Sequence, residues 1–215
     1  MKKLIILANA VNCNLCPFDN YDYEIWAPAV CLFNKKIKRI DKVFEIHRKD
    51  EYIQDTYLEI YKTDLPVYTN EKDKNIKNRK VFPINKIRDN YGEYFTNSMS
   101  LMLAYAVECG YKNITLFGID MDLNGSKREI TQERPNLEYW IGYFRGRGLR
   151  INTTHTPLCR SLYFYGKDDI VKPILYFEEK KDDLYKWILR MSKNEGAMKE
   201  CLQRYLDLID FINYL

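Results

Sequence analysis

YFTNSMSLMLAYAVECGYKNITLFGIDMD, residues 94–122, decides how this chain folds. Met99, Met102, Leu103, Ala106 and Val107 recur at i, i+3, i+4, i+7 and i+8, which is one apolar face of a helix. Gly110 stands where that helix must stop, because a glycine accepts the left-handed backbone that closes a helix. Ile114 to Phe117 then forms a short apolar strand, and Gly118-Ile119-Asp120 sits at its carboxyl end. Helix, tight turn, strand and acidic loop make half of a parallel α/β unit.

Working outward, the same rhythm repeats. Lys3 to Ala8 is apolar after its lysines, as expected of a strand covered on both faces. Tyr23 to Trp26, Lys42 to Ile46 and Leu65 to Tyr68 read as further strands. Asp50 to Lys62 reads as a helix with Asp50 as its cap and Ile53 opening the apolar face. The polar run Thr69 to Lys80 reads as a solvated loop, with a lid over a phosphate as the alternative. Pro135 opens a helix whose apolar face is Leu137, Trp140, Ile141 and Phe144. Arg145-Gly146-Arg147-Gly148 closes it, and Leu149 to Asn152 is the last strand. The expected fold is α/β, a Rossmann-like, mostly parallel sheet with helices on both faces.

Residues 1–160 are expected to form the Rossmann-like nucleotide-binding domain and 161–215 a C-terminal helical appendage. The appendage carries two apolar stripes, Leu184 to Met191 and Met198 to Ile212. The second could pack on its own domain or seam a homodimer; it spans about two heptads, fewer than a coiled coil needs.

Composition excludes several classes. The chain has 215 residues, is 46% hydrophobic and 30% charged, and carries a net charge of +4. That charge is too mild to announce nucleic-acid binding. The first apolar run is far shorter than the ~20 residues of a membrane span and lacks the form of a signal peptide. The expected compartment is the cytoplasm, where the six cysteines would be thiols. Cys13 and Cys16 form one C-x-x-C without the second ligand pair of a zinc site.

Candidate site residues follow from the fold. In open parallel sheets ligands bind beyond the carboxyl ends of the strands. Those ends supply Asn9, Trp26, His47, Thr69, Gly118 with Asp120, and Thr153 with His155. Thr96, Asn97 and Ser98 add a helix start suited to a phosphate, although Asn97 or Ser98 could simply cap that helix. No G-x-G-x-x-G follows the first strand and no Walker A motif occurs, which argues against a dehydrogenase or a P-loop NTPase. Arg134 could build an anion pocket with a helix N-terminus or pair with Glu138 one turn on. Asp120 and Asp122 could together hold Mg²⁺.

Two stretches carry a resemblance. Thr96-Asn97-Ser98 through Tyr111 to Asp120 and on to Asn124-Gly125, with the opening Met1 to Asn9, resembles the bacterial CMP-sialic-acid-dependent sialyltransferases. Val43 to His47, Pro66 to Tyr68, Tyr94 to Thr96, Gly118 to Met121 and Glu133 to Gly148 resemble uncharacterised phage-encoded Rossmann-like proteins over roughly residues 1–160. The resemblance implies that Asn9, Ser98, Gly118 and Asp120 contact a nucleotide, and Thr96, Asn97, Asn124 and Arg134 complete the candidate nucleotide-binding set.

The sialyltransferases place a histidine base after their Gly-Ile-Asp strand, and this chain has none between Gly118 and Asn152. His155 and His47 are the remaining candidates for a catalytic role. Two expectations follow. One is a glycosyltransferase-like protein that takes a nucleotide or nucleotide-sugar. The other is a non-catalytic phage protein that sequesters or senses a host nucleotide.

Overall fold

The structure is a computed structural model and describes residues 3–48, 54–70, 72–121 and 128–159. The expected appendage at 161–215, with the self-association assigned to it, lies outside these residues. So do Asp50, Ile53, Asp122 and Asn124.

Seven strands form one sheet in the order β5-β4-β3-β2-β1-β6-β7. They are β1 (Lys3–Leu7), β2 (Tyr23–Pro28), β3 (Lys42–Glu45), β4 (Val67–Thr69), β5 (Arg79–Val81), β6 (Asn113–Phe117) and β7 (Arg150–His155). Every pairing is parallel. Among the described residues four α-helices accompany them: α1 (Gln54–Lys62), α2 (Ile84–Tyr91), α3 (Ser98–Glu108) and α4 (Arg134–Gly146). Short 3₁₀ turns occupy Val11–Leu15 and Ala29–Phe33, and a π-helical turn, Glu129–Glu133, leads into α4.

Helices cover both faces, as the α/β rhythm requires. Leu4 and Ile6 of β1, Trp26 of β2, Phe44 of β3 and Leu116 of β6 pack with Met102 and Leu103 of α3, Leu137 and Phe144 of α4, and Ile87 of α2. The alternate residues Ile5, Leu7, Ile25 and Ala27 face the other way, onto Cys13, Cys16, Phe18 and Cys31. Further along that face Val43 and Val67 pack with Ile60 of α1. Residues of β1 are therefore buried on both faces, which is why its sequence is apolar without alternation.

Four elements depart from the sequence reading. β5 and α2 lie where no regular element was expected; β5 is a three-residue edge strand whose side chains are largely exposed, so it leaves no apolar run to read. β2 runs on to Pro28, and Trp26 is consequently a core residue, packed among Phe44, Tyr105 and Tyr111, with no place at the strand end. β7 runs through Thr153 to His155, past the expected end at Asn152.

Glu24 is buried at the start of β2 and is fully engaged. It accepts hydrogen bonds from Trp26 Nε1 (2.9 Å) and Tyr111 Oη, and pairs with Lys42 Nζ (2.8 Å). Burial, reinforced by the bond to Glu24, pushes the Tyr111 phenol well above its usual range. No helix among the described residues is long and apolar enough to cross a membrane.

Candidate functional site

The chain builds outward from β1 to β5 on one side, then crosses back to place β6 on the other side of β1. The crevice between the carboxyl ends of β1 and β6 is therefore the switch point of the sheet, the place where open α/β sheets receive ligands.

The two strand ends are tied together. Ala8 N–H donates to Phe117 O and Ala10 N–H donates to Gly118 O, both at 2.9 Å. Gly118 has φ +61°, and a Cβ there would lie 2.4 Å from Ala8 O and 2.9 Å from Cys13 Cβ. Glycine is thus required by the close approach of the backbones, whatever else the residue does. The pinned strand end carries Asn9 to the rim, where its Oδ1 accepts from Asn34 Nδ2. Beyond Gly118, Asp120 Oδ1 accepts from the Met121 N–H at 2.9 Å.

The third wall is the start of α3. Asn97 is its cap: Oδ1 accepts from Ser100 N–H at 2.8 Å. Asn97 Nδ2 also donates to Glu133 O (2.9 Å), and Thr96 Oγ1 donates to Gln132 O (3.1 Å). These two side chains lock α3 to the turn before α4. Ser98 and Met99 open the helix, where N–H groups have no carbonyl four residues back. The positive end of the helix dipole adds to their pull on an anion.

These walls enclose a cavity of about 950 Å³, within the range of small-molecule sites. Asn9, Thr96, Asn97, Ser98, Gly118 and Asp120 all line it. The structure adds Pro28 and Val30 from beyond β2, the Phe95 ring stacked on Trp140, and His47 with Arg48 from beyond β3. Arg128 and Glu133 also line it, 3.2 Å apart as an ion pair. Arg48, Arg128 and Glu133 are lining residues that sequence reasoning left out. Arg48 was signalled by its place beside His47 at a strand end; nothing in the sequence marked Arg128, which immediately precedes the π-helical turn Glu129–Glu133.

His47 is held from below. Its Nδ1 lies 2.6 Å from Glu45 Oε1; the Glu45 side chain is 5% exposed and that of His47 57%. The two residues are i and i+2, so both project from the same side of the strand end.

The remaining candidates stand elsewhere. His155 ends β7, and its ring stacks on Phe117 with centroids 4.3 Å apart; the cavity lining does not include it. Arg134 pairs with Glu138 at 3.2 Å and donates to Pro157 O, so it takes the ion-pair alternative and lies off the cavity lining. Thr153 is buried and accepts from Arg145 Nη2. For Mg²⁺ the ligand set is thin: Asp120 offers one carboxylate with one oxygen engaged, and no cluster of three metal-ligating side chains occurs among the described residues.

No protein-family model matches this chain, and no curated protein matches it. Among solved structures the chain is similar to the sialyltransferase CstII from Campylobacter jejuni in complex with a substrate analogue, CMP-3FNeuAc. That match has 14% identity and a TM-score of 0.46, and covers 75% of this chain and 83% of that one. It is also similar to CstII in complex with cytidine-5′-monophosphate, at 16% identity and a TM-score of 0.43, covering 75% of this chain and 82% of that one.

Proposed function

We propose that the switch-point cavity binds a nucleotide, either free or as the activated half of a nucleotide-sugar. One observation carries this reading. Ser98 and Met99 at the start of α3, Arg48, Arg128 and Asp120 all line one cavity of about 950 Å³. Phosphate needs donors and positive charge, which the helix start and the arginines supply. Ribose hydroxyls need an acceptor, and Asp120 Oδ2 serves because Oδ1 is occupied by its own loop. Asn9 has its Oδ1 engaged by Asn34, so it turns amide N–H donors to a ligand.

A thermal-shift screen over CMP, UMP, AMP, GMP and ADP-ribose tests the reading. A ligand at a hundred times its Kd adds about 2.7 kcal/mol to the native state, which such a screen resolves. The expected result is a rise in Tm with at least one nucleotide and a smaller rise in Asp120→Asn. No rise with any of them contradicts the reading. Release of free nucleotide from a bound nucleotide-sugar would add transfer to binding; tight binding without release identifies a binder.

A further inference from the structure

We propose that the two 3₁₀ turns at the lip of the cavity dock on an anionic membrane surface: Leu15, Val30 and Phe33 enter the headgroup layer, and Lys35, Lys36 and Lys38 meet the lipid phosphates. The inference adds a second surface to the protein and stands whether or not the cavity takes a nucleotide.

The turn Ala29–Phe33 has two sides. Ala29 and Cys31 are buried, while Val30 and Phe33 are exposed. Residues three apart eclipse in a 3₁₀ turn, so Val30 and Phe33 stand together on the solvent side. Asn34 ties this turn to the earlier one, Val11–Leu15, by donating from Nδ2 to Cys13 Sγ at 3.4 Å. Two residues beyond Cys13, Leu15 is 57% exposed.

A tight turn continues the surface. Ile37 N–H donates to Asn34 O and Lys36 N–H to Asn34 Oδ1, both at 2.9 Å, which puts Lys35 and Lys36 at the tip. Ile37 anchors the turn on the cluster that holds Cys13, Cys16 and Phe18. Lys35, Lys36 and Lys38 are exposed, and none makes an ion pair among the described residues. The acidic side chains on the adjoining segments are Asp19, Asp22 and Asp41. Asp41 is taken by Arg39 at 2.9 Å, and Asp19 and Asp22 are exposed in the loop before β2.

Exposed apolar side chains rimmed by polar groups mark an interaction surface, and the mixture selects the partner. A nucleic acid would meet the lysines but leave Leu15 and Val30 in water, because stacking on bases needs aromatic faces. An anionic bilayer satisfies both kinds of group. Apolar side chains sink to the acyl boundary while lysine stems reach the phosphates. Val30 also lines the cavity, so a docked membrane lies beside its mouth.

Co-sedimentation with vesicles tests the proposal. The probes are vesicles of equal parts phosphatidylcholine and phosphatidylglycerol, vesicles of phosphatidylcholine alone, and a single-stranded RNA. The expected result is binding to the mixed vesicles, little to phosphatidylcholine alone, and weakening as NaCl rises from about 0.05 M to about 0.5 M. Lys35→Gln/Lys36→Gln should lower vesicle affinity about tenfold or more, since each lysine near an anionic surface contributes a factor of about five. Leu15→Ser/Phe33→Ser should lower it about tenfold, from the loss of two apolar side chains in the headgroup layer. Lys74→Gln/Lys80→Gln removes the same charge from other exposed lysines and should change affinity by less than about twofold.

Absence of binding to the mixed vesicles overturns the proposal, and so does an equal loss in Lys74→Gln/Lys80→Gln. RNA binding that the Lys35/Lys36 variant weakens, without vesicle binding, assigns these lysines to a polyanion and also overturns it. Lys35 and Lys36 sit at an exposed turn tip, so that variant decides even if Leu15→Ser/Phe33→Ser does not fold. Failure of the nucleotide reading looks different: no nucleotide raises Tm, while the mixed vesicles still bind.

Discussion

Replacing Gly118 with alanine should collapse the junction on which the cavity is built. Two costs add. The residue sits at φ +61°, and the left-handed region costs an L-residue about 1–2 kcal/mol. The new Cβ would also lie 2.4 Å from Ala8 O and 2.9 Å from Cys13 Cβ. Both neighbours belong to packed structure: Ala8 is hydrogen-bonded to Phe117, and Cys13 is 1% exposed. Overpacking of this kind costs about 1–3 kcal/mol. The sum is roughly 2–5 kcal/mol, or a fall in Tm of roughly 4–20 °C for a chain of this size. Gly110→Ala provides the comparison, since Gly110 has φ +84° with nothing within 4 Å of its would-be Cβ. It should cost only the conformational part. Urea denaturation of both variants separates the two contributions. Any Gly118→Ala protein that folds should also bind nucleotide poorly, because relief of the clash moves Ala8 to Ala10, one wall of the cavity. Equal stabilities of Gly118→Ala and Gly110→Ala would refute the close approach of the two strand ends.

Asn97→Ala removes the cap of α3 and the bond to Glu133 O, so it should cost about 1–2 kcal/mol in urea denaturation. Ser98→Ala is the counterpart: no hydrogen bond of its hydroxyl occurs among the described residues, so stability should stay within about 0.5 kcal/mol. Its nucleotide Kd, measured by calorimetry, should rise about tenfold or more, the value of a hydrogen bond to a charged group. Burial pushes the Cys16 and Cys31 thiols up to about 12, so a disulfide reagent at pH 8 should label exposed Cys109 and Cys159 before either of them. Cys13, Cys16 and Cys31 should react only after denaturation. The Glu108 carboxyl is held below its usual range by Lys86 Nζ at 2.7 Å, with Tyr91 and Asn90 as further donors. Its contribution is present above the unfolded carboxyl range and lost as pH falls through the lowered folded value. Glu108→Gln should therefore flatten the acid side of a stability-against-pH curve.

The sheet was legible where burial on both faces leaves a mark. β1 and β6 are apolar runs bounded by polar loops, and α3 is apolar nearly all round because the sheet, α2 and α4 all pack on it. β5 was not legible, since an edge strand of three residues with exposed side chains buries nothing that a sequence pattern records. The rim behaved in the same way. Asn9, Asp120 and the start of α3 follow from the fold alone, because strand ends and helix starts are fixed once the elements are placed. Arg128 and Glu133 reach the cavity through the π-helical turn before α4, an irregular element that the 3.6-residue periodicity does not describe. Glu45 was hidden for another reason: on the strand it reads as a polar residue between apolar neighbours, and its partner is a side chain two residues further on. Gly118 was legible as a strand-end glycine, but the atoms that demand it, Ala8 O and Cys13 Cβ, are contributed by a loop more than a hundred residues earlier in the chain.

Amide-shift mapping with the nucleotide that most raises Tm tests the cavity as the binding site most directly. The expected perturbations fall on Asn9 and Ala10, on Ser98 and Met99, and on Gly118 to Met121. Saturable binding that instead shifts amides at the amino ends of the strands, around Lys3, Tyr23 and Asn113, would place the ligand on the wrong edge of the sheet and contradict the assignment.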